Sequence, residues 1–310
     1  MKRILLIFYS QSGEADRIAT VFREEMAAAG HLVTECRLRP EADYPYPWRS
    51  IGRFFDVMPE TQLGEPPPIR RPVFDPDADY DLVVLVSPVW FLSPALPVQG
   101  FFRRPEARVL RDKPVVTVTV SRAMWQNGSE AVKRLLAAAG ARHVDNIVVT
   151  HAGSPVATLV STPRTLLSGK AGRLMGIFPE AGVAGIDHAR IRALAAVAAR
   201  RLAAPGPVPG SLLAGDPAVA VRRWLIGPEL LGWYAFHGWA HLIRGLGRLG
   251  RGPRAIGVWG FALFLVAMIL IGLPLTLVGT PILYVAGRRW LNHTARRLAA
   301  PTGEAVAAKA

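Results

Sequence analysis

The segment that decides the fold reads Ile4-Leu5-Leu6-Ile7-Phe8-Tyr9-Ser10-Gln11-Ser12-Gly13-Glu14. Its first five residues form a continuous apolar run, which is typical of a strand that is buried on both faces. Small and polar residues follow, and residues 15–29 then carry apolar side chains at helical spacing before Gly30. Glycine is favoured just after the last turn of a helix. The segment therefore predicts a strand, a tight loop and a helix in succession.

Short apolar runs continue to alternate with helical patterns over the first two hundred residues. Further strands are predicted at residues 32–38, 82–87, 114–120 and 146–151, and further helices at residues 96–102, 129–139 and 186–202. This alternation predicts the α/β class, with a doubly wound, five-stranded parallel sheet. Residues 40–79 and 150–184 interrupt it, and we expect the first insertion, rich in proline and aromatic residues, to form a wall of a site.

The loop between the first strand and its helix is a predicted phosphate receptor. Ser10 and Ser12 supply hydroxyl donors, Gly13 lets the backbone approach a ligand closely, and Gln11 and Glu14 complete the loop. Backbone N–H groups at the start of a helix, together with the helix dipole, favour a bound anion. A serine-rich turn that only caps an ordinary helix is the alternative.

Two further loops are predicted to hold a flat ring, because ligands of parallel α/β sheets bind at the carboxyl ends of the strands. The third strand ends in Ser87-Pro88-Val89-Trp90-Phe91-Leu92-Ser93-Pro94, and the fourth in Ser121-Arg122-Ala123-Met124-Trp125-Gln126-Asn127-Gly128. The ring contacts are assigned to Pro88, Val89, Trp90 and Phe91 in the one and to Ser121, Arg122 and Trp125 in the other. A packed core position is the alternative for either tryptophan.

The first loop resembles the phosphate-binding loop of flavodoxins, and the segment around Trp90 is similar to the ring-binding loop of flavodoxin-like quinone reductases. Ala15 departs from the pattern, since flavodoxins usually have threonine there. The resemblance implies a flavodoxin-like fold with FMN as the cofactor.

Arg122 and Tyr46 are the candidate catalytic residues. Arg122 is suited to stabilise a reduced, anionic flavin or to clamp a substrate carbonyl, and a solvated surface arginine is the alternative. Tyr46 is a conceivable base, as are Tyr9 and Asp56. No spacing of His, Cys, Asp or Glu in the sequence argues for a metal, and His143 and His151 are interpreted as structural.

A narrower resemblance spans residues 1 to about 150. It is carried by Tyr9-Ser10-Gln11-Ser12-Gly13, Tyr44-Pro45-Tyr46-Pro47-Trp48, Phe54-Phe55-Asp56-Val57-Met58-Pro59-Glu60, Trp90-Phe91-Leu92-Ser93-Pro94 and Met124-Trp125. These motifs resemble bacterial flavodoxin-like proteins associated with dialkylresorcinol biosynthesis, which are labelled dialkylresorcinol condensing enzymes and also carry a hydrophobic C-terminal tail. The resemblance implies a step in making 2,5-dialkylresorcinol lipids, with a ketosynthase as a possible partner.

Condensation of acyl thioesters normally needs an activated cysteine, and the single cysteine, Cys36, lies in a predicted buried strand. We therefore interpret the resemblance as oxidation of a 2,5-dialkylcyclohexane-1,3-dione to the aromatic resorcinol by a flavin-dependent oxidoreductase with a lipophilic substrate. A membrane-bound NAD(P)H:quinone reductase is one alternative. A non-enzymatic electron carrier, or a flavodoxin-fold scaffold for a ketosynthase, is another.

The C-terminal third has a different composition. We divide the chain into a flavodoxin-like domain at residues 1–204, a linker with interfacial helices at 205–254, a hydrophobic segment at 255–287 and a basic tail at 288–310. The helices, predicted at 219–231 and 232–249, combine aromatic residues with arginine, as helices in a membrane interface do. A small soluble helical subdomain is the alternative.

Residues 255–286 contain no charged side chain and are flanked by arginine on both sides. As one helix, these 32 residues would extend roughly 48 Å, well beyond a hydrocarbon core of about 30 Å. Gly272, Pro274, Gly279 and Pro281 interrupt the run, so a broken hairpin and a tilted single span remain open. Either would hold the chain at the inner membrane, with the catalytic domain facing the cytoplasm.

The charge of the chain favours lipid over nucleic acid. The net charge is +14, and residues 205–310 hold 11 Lys or Arg against 3 acidic residues, a net +8 that mostly flanks the apolar run. Such a distribution suits anionic lipid head groups, and no nucleic-acid-binding motif accompanies it. The predicted partners are therefore membrane lipid and a lipophilic small molecule, and not nucleic acid.

Overall fold

A parallel sheet lies at the centre of the computed structural model, which describes residues 1–151, 167, 169, 185–272, 275, 279 and 284–301. Its strands are β1 (Arg3–Phe8), β2 (Leu32–Arg37), β3 (Leu82–Trp90), β5 (Pro114–Ser121) and β6 (Arg142–Thr150). They run parallel in the order β2-β1-β3-β5-β6, and a short strand β4 (Ser93–Pro94) pairs antiparallel with the end of β3.

This strand order confirms the predicted doubly wound parallel sheet with five parallel strands. The order reverses between β1 and β3, which opens a crevice beyond the carboxyl ends of these two strands. Strand β6 begins four residues earlier than predicted. The reason is that the buried polar side chains of His143, Asp145 and Asn146 interrupt its apolar pattern, although they lie within the ladder with β5.

Helices cover both faces of the sheet. They are α1 (Glu14–Ala28), α2 (Ile51–Phe55), α3 (Met58–Leu63), α4 (Leu96–Phe101), α5 (Gln126–Ala138) and α6 (Gly185–Leu202). Helices α1 and α6 bury their apolar faces on one side of the sheet, and α4 and α5 bury theirs on the other. Helices α2 and α3 belong to the first predicted insertion, whereas almost all of the second, residues 150–184, lies outside the described residues.

The chain after α6 stays on the sheet domain. Val208, Leu212 and Leu213 are buried in the same apolar cluster as α1 and α6. Asp145 on β6 accepts hydrogen bonds from Ser211 Oγ at 2.5 Å and from the N–H of Leu212 at 2.6 Å. The predicted linker thus leads into a segment that packs as part of the core, and the domain boundary at residue 205 stays a prediction.

Further helices follow in the part of the chain that the structure describes: α7 (Ile226–Arg248), α8 (Arg251–Ala267), which continues into a π-helical stretch at Met268–Gly272, and α9 (Arg288–Ala299). The two predicted helices at 219–231 and 232–249 were wrong, because one continuous helix is found. Gly232 does not end it and lies within the helix, where a Cβ would make only an ordinary contact with Leu92 Cδ1, at 3.4 Å. Arg251–Gly272 is long and apolar enough to cross a membrane, with a mean hydropathy of 2.5.

Candidate functional site

Three loops meet at the carboxyl edge of the sheet, as predicted. They follow β1, β3 and β5, the strands on either side of the crevice. The insertion at residues 40–79 lies against the second loop through its aromatic side chains. The crevice is therefore enclosed by residues from distant parts of the chain.

The loop after β1 leaves hydrogen-bond donors available. Gly13, the N-cap residue of α1, has φ 86°, a left-handed conformation that favours glycine, and it has no side chain to cap the helix. Ser10 is buried, and its Oγ has no hydrogen-bond partner within the described part of the chain. Since buried polar atoms are usually paired, these groups are suited to an anion.

Arg122, at the end of β5, lies within electrostatic reach of Glu14 in this loop and of Tyr46 in the insertion. Burial lowers the pKa of its guanidinium, and its Nη1 has no partner among the residues that the structure describes. His151 Nδ1 is also buried and has no hydrogen-bond partner in the described residues. Burial, together with the charge of Arg122, lowers the pKa of His151 to about 3. A half-buried cation with a buried, unsatisfied donor favours a negative ligand nearby.

The side chains of Gln11 and Glu14 point to protein partners. Gln11 Nε2 donates to the carbonyl of Pro45 at 2.9 Å, which ties the loop to the insertion. Glu14 lies 3.2 Å from Arg17 Nη1 and 3.7 Å from His188 Nε2. Both residues therefore offer a ligand mainly their backbone N–H groups.

Trp90 stands in a group of aromatic rings that forms one wall of the crevice. Its ring centroid lies 5.7 Å from that of Tyr9, 5.1 Å from Tyr44 and 6.4 Å from Trp48, all edge-on. Burial raises the pKa of the Tyr9 phenol strongly and that of Tyr44 to about 12. Both phenols stay protonated at neutral pH, so Tyr9 is a hydrogen-bond donor rather than the base considered from the sequence.

The turn beside Trp90 is strained. Phe91 and Leu92 have φ 46° and 63°, and they connect β3 to β4 as a two-residue hairpin turn. Asn and Gly normally occupy such positions, and a bulky residue there costs about 1–2 kcal/mol. Gln62 Nε2 donates to the carbonyl of Phe91 and Leu92 packs beside Gly232. Strain of this kind is typical of functional sites.

Strand β3 extends three residues beyond the predicted strand at 82–87, into the segment that was predicted to be a ring-binding loop. Pro88 and Val89 belong to β3, where Pro88 pairs with Val120, so the chain turns only at Phe91. A Cβ on Gly128 would lie 2.8 Å from Val89 Cγ2, which shows that the Val89 side chain packs tightly on α5. The ring edge is thus left to Trp90, Phe91 and the backbone.

Trp125 belongs to the core. It is 2% exposed and packs with Ile226 and Leu291 from the C-terminal region, so its ring is not an open face for a ligand. Ser121 Oγ donates to the carbonyl of Met124 at 2.7 Å and closes the loop after β5. Of the three residues predicted in this loop, Arg122 is the one with an unpaired buried atom in the crevice.

Glu229 on α7 was missed from the sequence. It is fully buried, and its Oε1 accepts hydrogen bonds from Asn127 N at 2.7 Å and Asn127 Nδ2 at 3.3 Å. Burial raises its pKa to about 7, although these donors oppose the shift. A carboxylate 102 residues away thus caps α5, and no local pattern signals such a cap.

Asp56 and Tyr46, the other two bases considered from the sequence, have different neighbours. Asp56 accepts a hydrogen bond from Arg254 Nε at 2.7 Å, so it joins the insertion to α8 and is not poised as a base. Tyr46 is half-buried and lies near Arg122. The crevice therefore retains Arg122 and Tyr46 as its candidate catalytic residues.

No protein-family model matches this sequence, and no curated protein matches it. Solved structures similar to the chain include a flavoprotein in complex with FMN from Lactobacillus acidophilus NCFM, at 19% identity and a TM-score of 0.39 over 48% of this chain and 93% of that one. A putative flavoprotein from Bacteroides eggerthii DSM 20697 is 20% identical, with a TM-score of 0.37 over 48% and 88%. A flavone reductase is 14% identical, with a TM-score of 0.33 over 64% and 62%.

These similarities are distant, and the arrangement of the sheet itself assigns the fold. Five parallel strands in the order β2-β1-β3-β5-β6, with helices on both faces, are the flavodoxin-like arrangement. The first part of this chain is therefore a flavodoxin-like α/β domain.

Proposed function

We propose that this chain binds FMN in the crevice between β1 and β3 and acts as a flavin-dependent oxidoreductase. The observation that carries the proposal is the pair of buried atoms Ser10 Oγ and Arg122 Nη1, which have no partner in the described residues. Ser10 lies in the loop that leads into α1, and Arg122 is within electrostatic reach of Glu14 in the same loop. A phosphate would satisfy donors that otherwise have no partner in the described residues. Trp90 and the strained turn at Phe91 supply a wall for the ring of the cofactor.

Different residues of the crevice would bind the phosphate and the ring of the cofactor. Ser10, Ser12 and the backbone from Gln11 to Glu14 would hold the phosphate, and the aromatic wall around Trp90 would exclude water from the ring. The buried charge of Arg122 favours an anionic group, either the phosphate or a reduced ring. When bound, FMN would supply two-electron hydride chemistry.

The reaction we propose is aromatisation of a 2,5-dialkylcyclohexane-1,3-dione in dialkylresorcinol biosynthesis. In this reaction the dione would lose a hydride, which FMN chemistry would accept, and a proton from the neighbouring carbon, for which Tyr46 is the candidate base. An apolar cluster supports a lipophilic substrate, since it joins Phe91 in the ring loop to Phe236 and Phe261 on α7 and α8. Alkyl tails would lie among these side chains.

The same cluster also favours a second function. The apolar side chains around Phe91 would suit a lipid-soluble quinone as much as a dialkylated dione, which makes an NAD(P)H:quinone reductase the alternative. We place either activity at the cytoplasmic face of the inner membrane, because arginine flanks the apolar run at both ends. A ketosynthase is the proposed protein partner.

The first test is the visible absorption spectrum of the detergent-solubilised protein, with mass identification of any released chromophore. Flavin bands and released FMN are expected. The double variant Ser10→Ala, Arg122→Gln should lose the flavin while it keeps its circular dichroism, whereas Arg134→Gln, at an exposed position on α5, should keep both. A colourless protein that rejects added FMN would overturn the proposal and leave a ketosynthase scaffold as the function.

An activity assay then distinguishes aromatisation of the dione from reduction of a quinone. Flavin-loaded protein supplied with an electron acceptor should convert the dione to the resorcinol, and this would establish the aromatase. Rapid NAD(P)H-dependent reduction of a quinone without conversion of the dione would establish the alternative instead.

A further inference from the structure

The apolar run at residues 255–286 starts from the α/β domain. At its N-terminal flank, Arg254 donates from Nε to Asp56 Oδ1 at 2.7 Å and from Nη2 to Glu60 Oε2 at 3.0 Å. Arg244, near the end of α7, lies 3.5 Å from the other oxygen of Glu60. The start of α8 is thus held to α3 and its neighbour by charged hydrogen bonds.

The chain is attached to the same domain again after the run. Lys133 on α5 donates to the carbonyls of Arg297 at 3.3 Å, Leu298 at 3.0 Å and Ala300 at 2.7 Å, which caps the C-terminal end of α9. Leu291 and Leu298 are buried against Trp125. Helix α9 is therefore a packed part of the α/β domain.

Helix α8 runs back along α7. A Cβ on Gly257 would lie 2.8 Å from Leu246 Cδ1, and the Phe261 ring lies 5.1 Å from that of Phe236. Helix α7 is itself fixed near both ends, by Glu229 to Asn127 and by Arg244 to Glu60. One face of α8 is consequently covered by the protein.

The opposite face of α8 is an exposed apolar stripe, whose residues are spaced by three and four. Its members, exposed by between 52% and 73%, are Ile256, Trp259, Leu263, Val266 and Leu270. Where the chain returns from the run, Arg223 and Arg288 line a groove of about 440 Å³ beside Tyr284 and Val285. An exposed apolar stripe and a basic groove, at the two ends of the apolar run, match a membrane surface with anionic head groups.

We propose that the chain attaches to the bilayer from one side only. The exposed stripe of α8 lies in the leaflet that faces the α/β domain, the basic groove binds lipid head groups, and α9 is on the same side of the membrane as the crevice. The proposal rests on the membrane attachment within the proposed function and decides between hairpin and single span. A single span would place α9 across the bilayer, which would strip Lys133 of its acceptors in α9 and expose the apolar surface around Trp125.

Cysteine labelling tests the sidedness. Val73→Cys, on the α/β domain, and His293→Cys, on α9, both replace exposed residues, whereas Cys36 is 1% exposed and burial raises its pKa to about 11, so the background is low. A membrane-impermeant maleimide applied to inverted membrane vesicles and to spheroplasts should label both cysteines in the same preparation. Labelling of the two from opposite faces would overturn the proposal, and this readout depends on neither FMN nor activity.

Vesicle flotation tests the lipid. The variant Ile256→Lys, Leu263→Lys, Leu270→Lys should bind vesicles of phosphatidylglycerol and phosphatidylethanolamine at least about tenfold less than the parent chain while it keeps its circular dichroism. The control Leu32→Lys, Val73→Lys, at exposed apolar positions of the α/β domain, should bind unchanged. Equal flotation of the triple variant and the parent chain would overturn the lipid assignment. The same conclusion would follow if the parent were a soluble dimer without detergent and the triple variant were a monomer, since a second copy of the chain would then cover the stripe.

Discussion

Helices α1 and α5 both begin at the carboxyl edge of the sheet, yet their N-termini meet different groups. At the start of α1 the N-cap residue is Gly13, which has no side chain to cap the helix, and Ser10 Oγ in the same loop is buried without a partner in the described residues. The start of α5 is closed by the buried carboxyl of Glu229, which is carried in by α7. The protein thus supplies its own anion at the start of α5, and the start of α1 is where we propose that the phosphate binds.

Removal of the Glu229 carboxyl group should give the largest loss of stability. Glu229→Ala leaves the N–H groups at the start of α5 buried without an acceptor and opens a cavity between α5 and α7. We expect a loss of about 2–4 kcal/mol in the free energy of unfolding, measured by denaturant titration in detergent. Glu229→Gln keeps one acceptor oxygen, so it is the matched control and should lose less than about 1 kcal/mol at neutral pH. Equal losses in both variants would show that the cap is unimportant.

The open N-terminus should be sensitive to its glycine. Gly13 and Gly30 have φ 86° and 81°, and a Cβ at either position meets no neighbouring atom within 4 Å. Alanine at either position should therefore cost about 1–2 kcal/mol of stability through backbone strain alone. Only Gly13→Ala should also weaken FMN binding, by about 10–100-fold, because it shifts the N–H groups of the loop. Flavin fluorescence titration measures the difference, and equal affinities in the two variants would place the phosphate elsewhere.

The position of α7 depends on its close packing against α8. Because α7 carries Glu229, the cap on α5 depends on the same packing. Gly257→Ala would place a methyl group 2.8 Å from Leu246 Cδ1 and 3.1 Å from Ile243 Cγ1, which should destabilise the pair by about 1–2 kcal/mol. Gly252→Ala, in the same helix, meets no neighbour within 4 Å and should be neutral or stabilising by about 0.5–1 kcal/mol. Thermal unfolding of the two variants in the same detergent gives the comparison. A stable Gly257→Ala variant would argue that α7 and α8 are loosely packed.

Periodicity predicted the elements that carry the candidate site. The apolar run before Tyr9 and the small residues up to Gly13 located the strand, the loop and the helix, because each depends on local sequence alone. Trp125 was misassigned because its partners, Ile226 and Leu291, lie more than a hundred residues away. The cap by Glu229 and the hairpin turn at Phe91 escaped prediction for the same reason, since tertiary contacts, and not turn-forming residues, hold both.

The subtlest expected effect is a change in the pH dependence of stability. Glu229 has its pKa raised from the usual 4.5 to about 7, so the folded chain holds this proton more tightly than the unfolded chain does. Its contribution is full below pH 4.5 and is lost as the pH rises through about 7. His143 and His151, whose pKa values are lowered to about 3, act in the opposite direction, because the unfolded chain binds their protons more readily as the pH falls below 6.5. Both the parent chain and the Glu229→Gln variant contain the two histidines. Their contribution therefore cancels in the difference between the free energies of unfolding of the two proteins. The parent should therefore lose stability relative to the variant between about pH 4.5 and 7, and parallel curves would show that Glu229 titrates normally despite its burial.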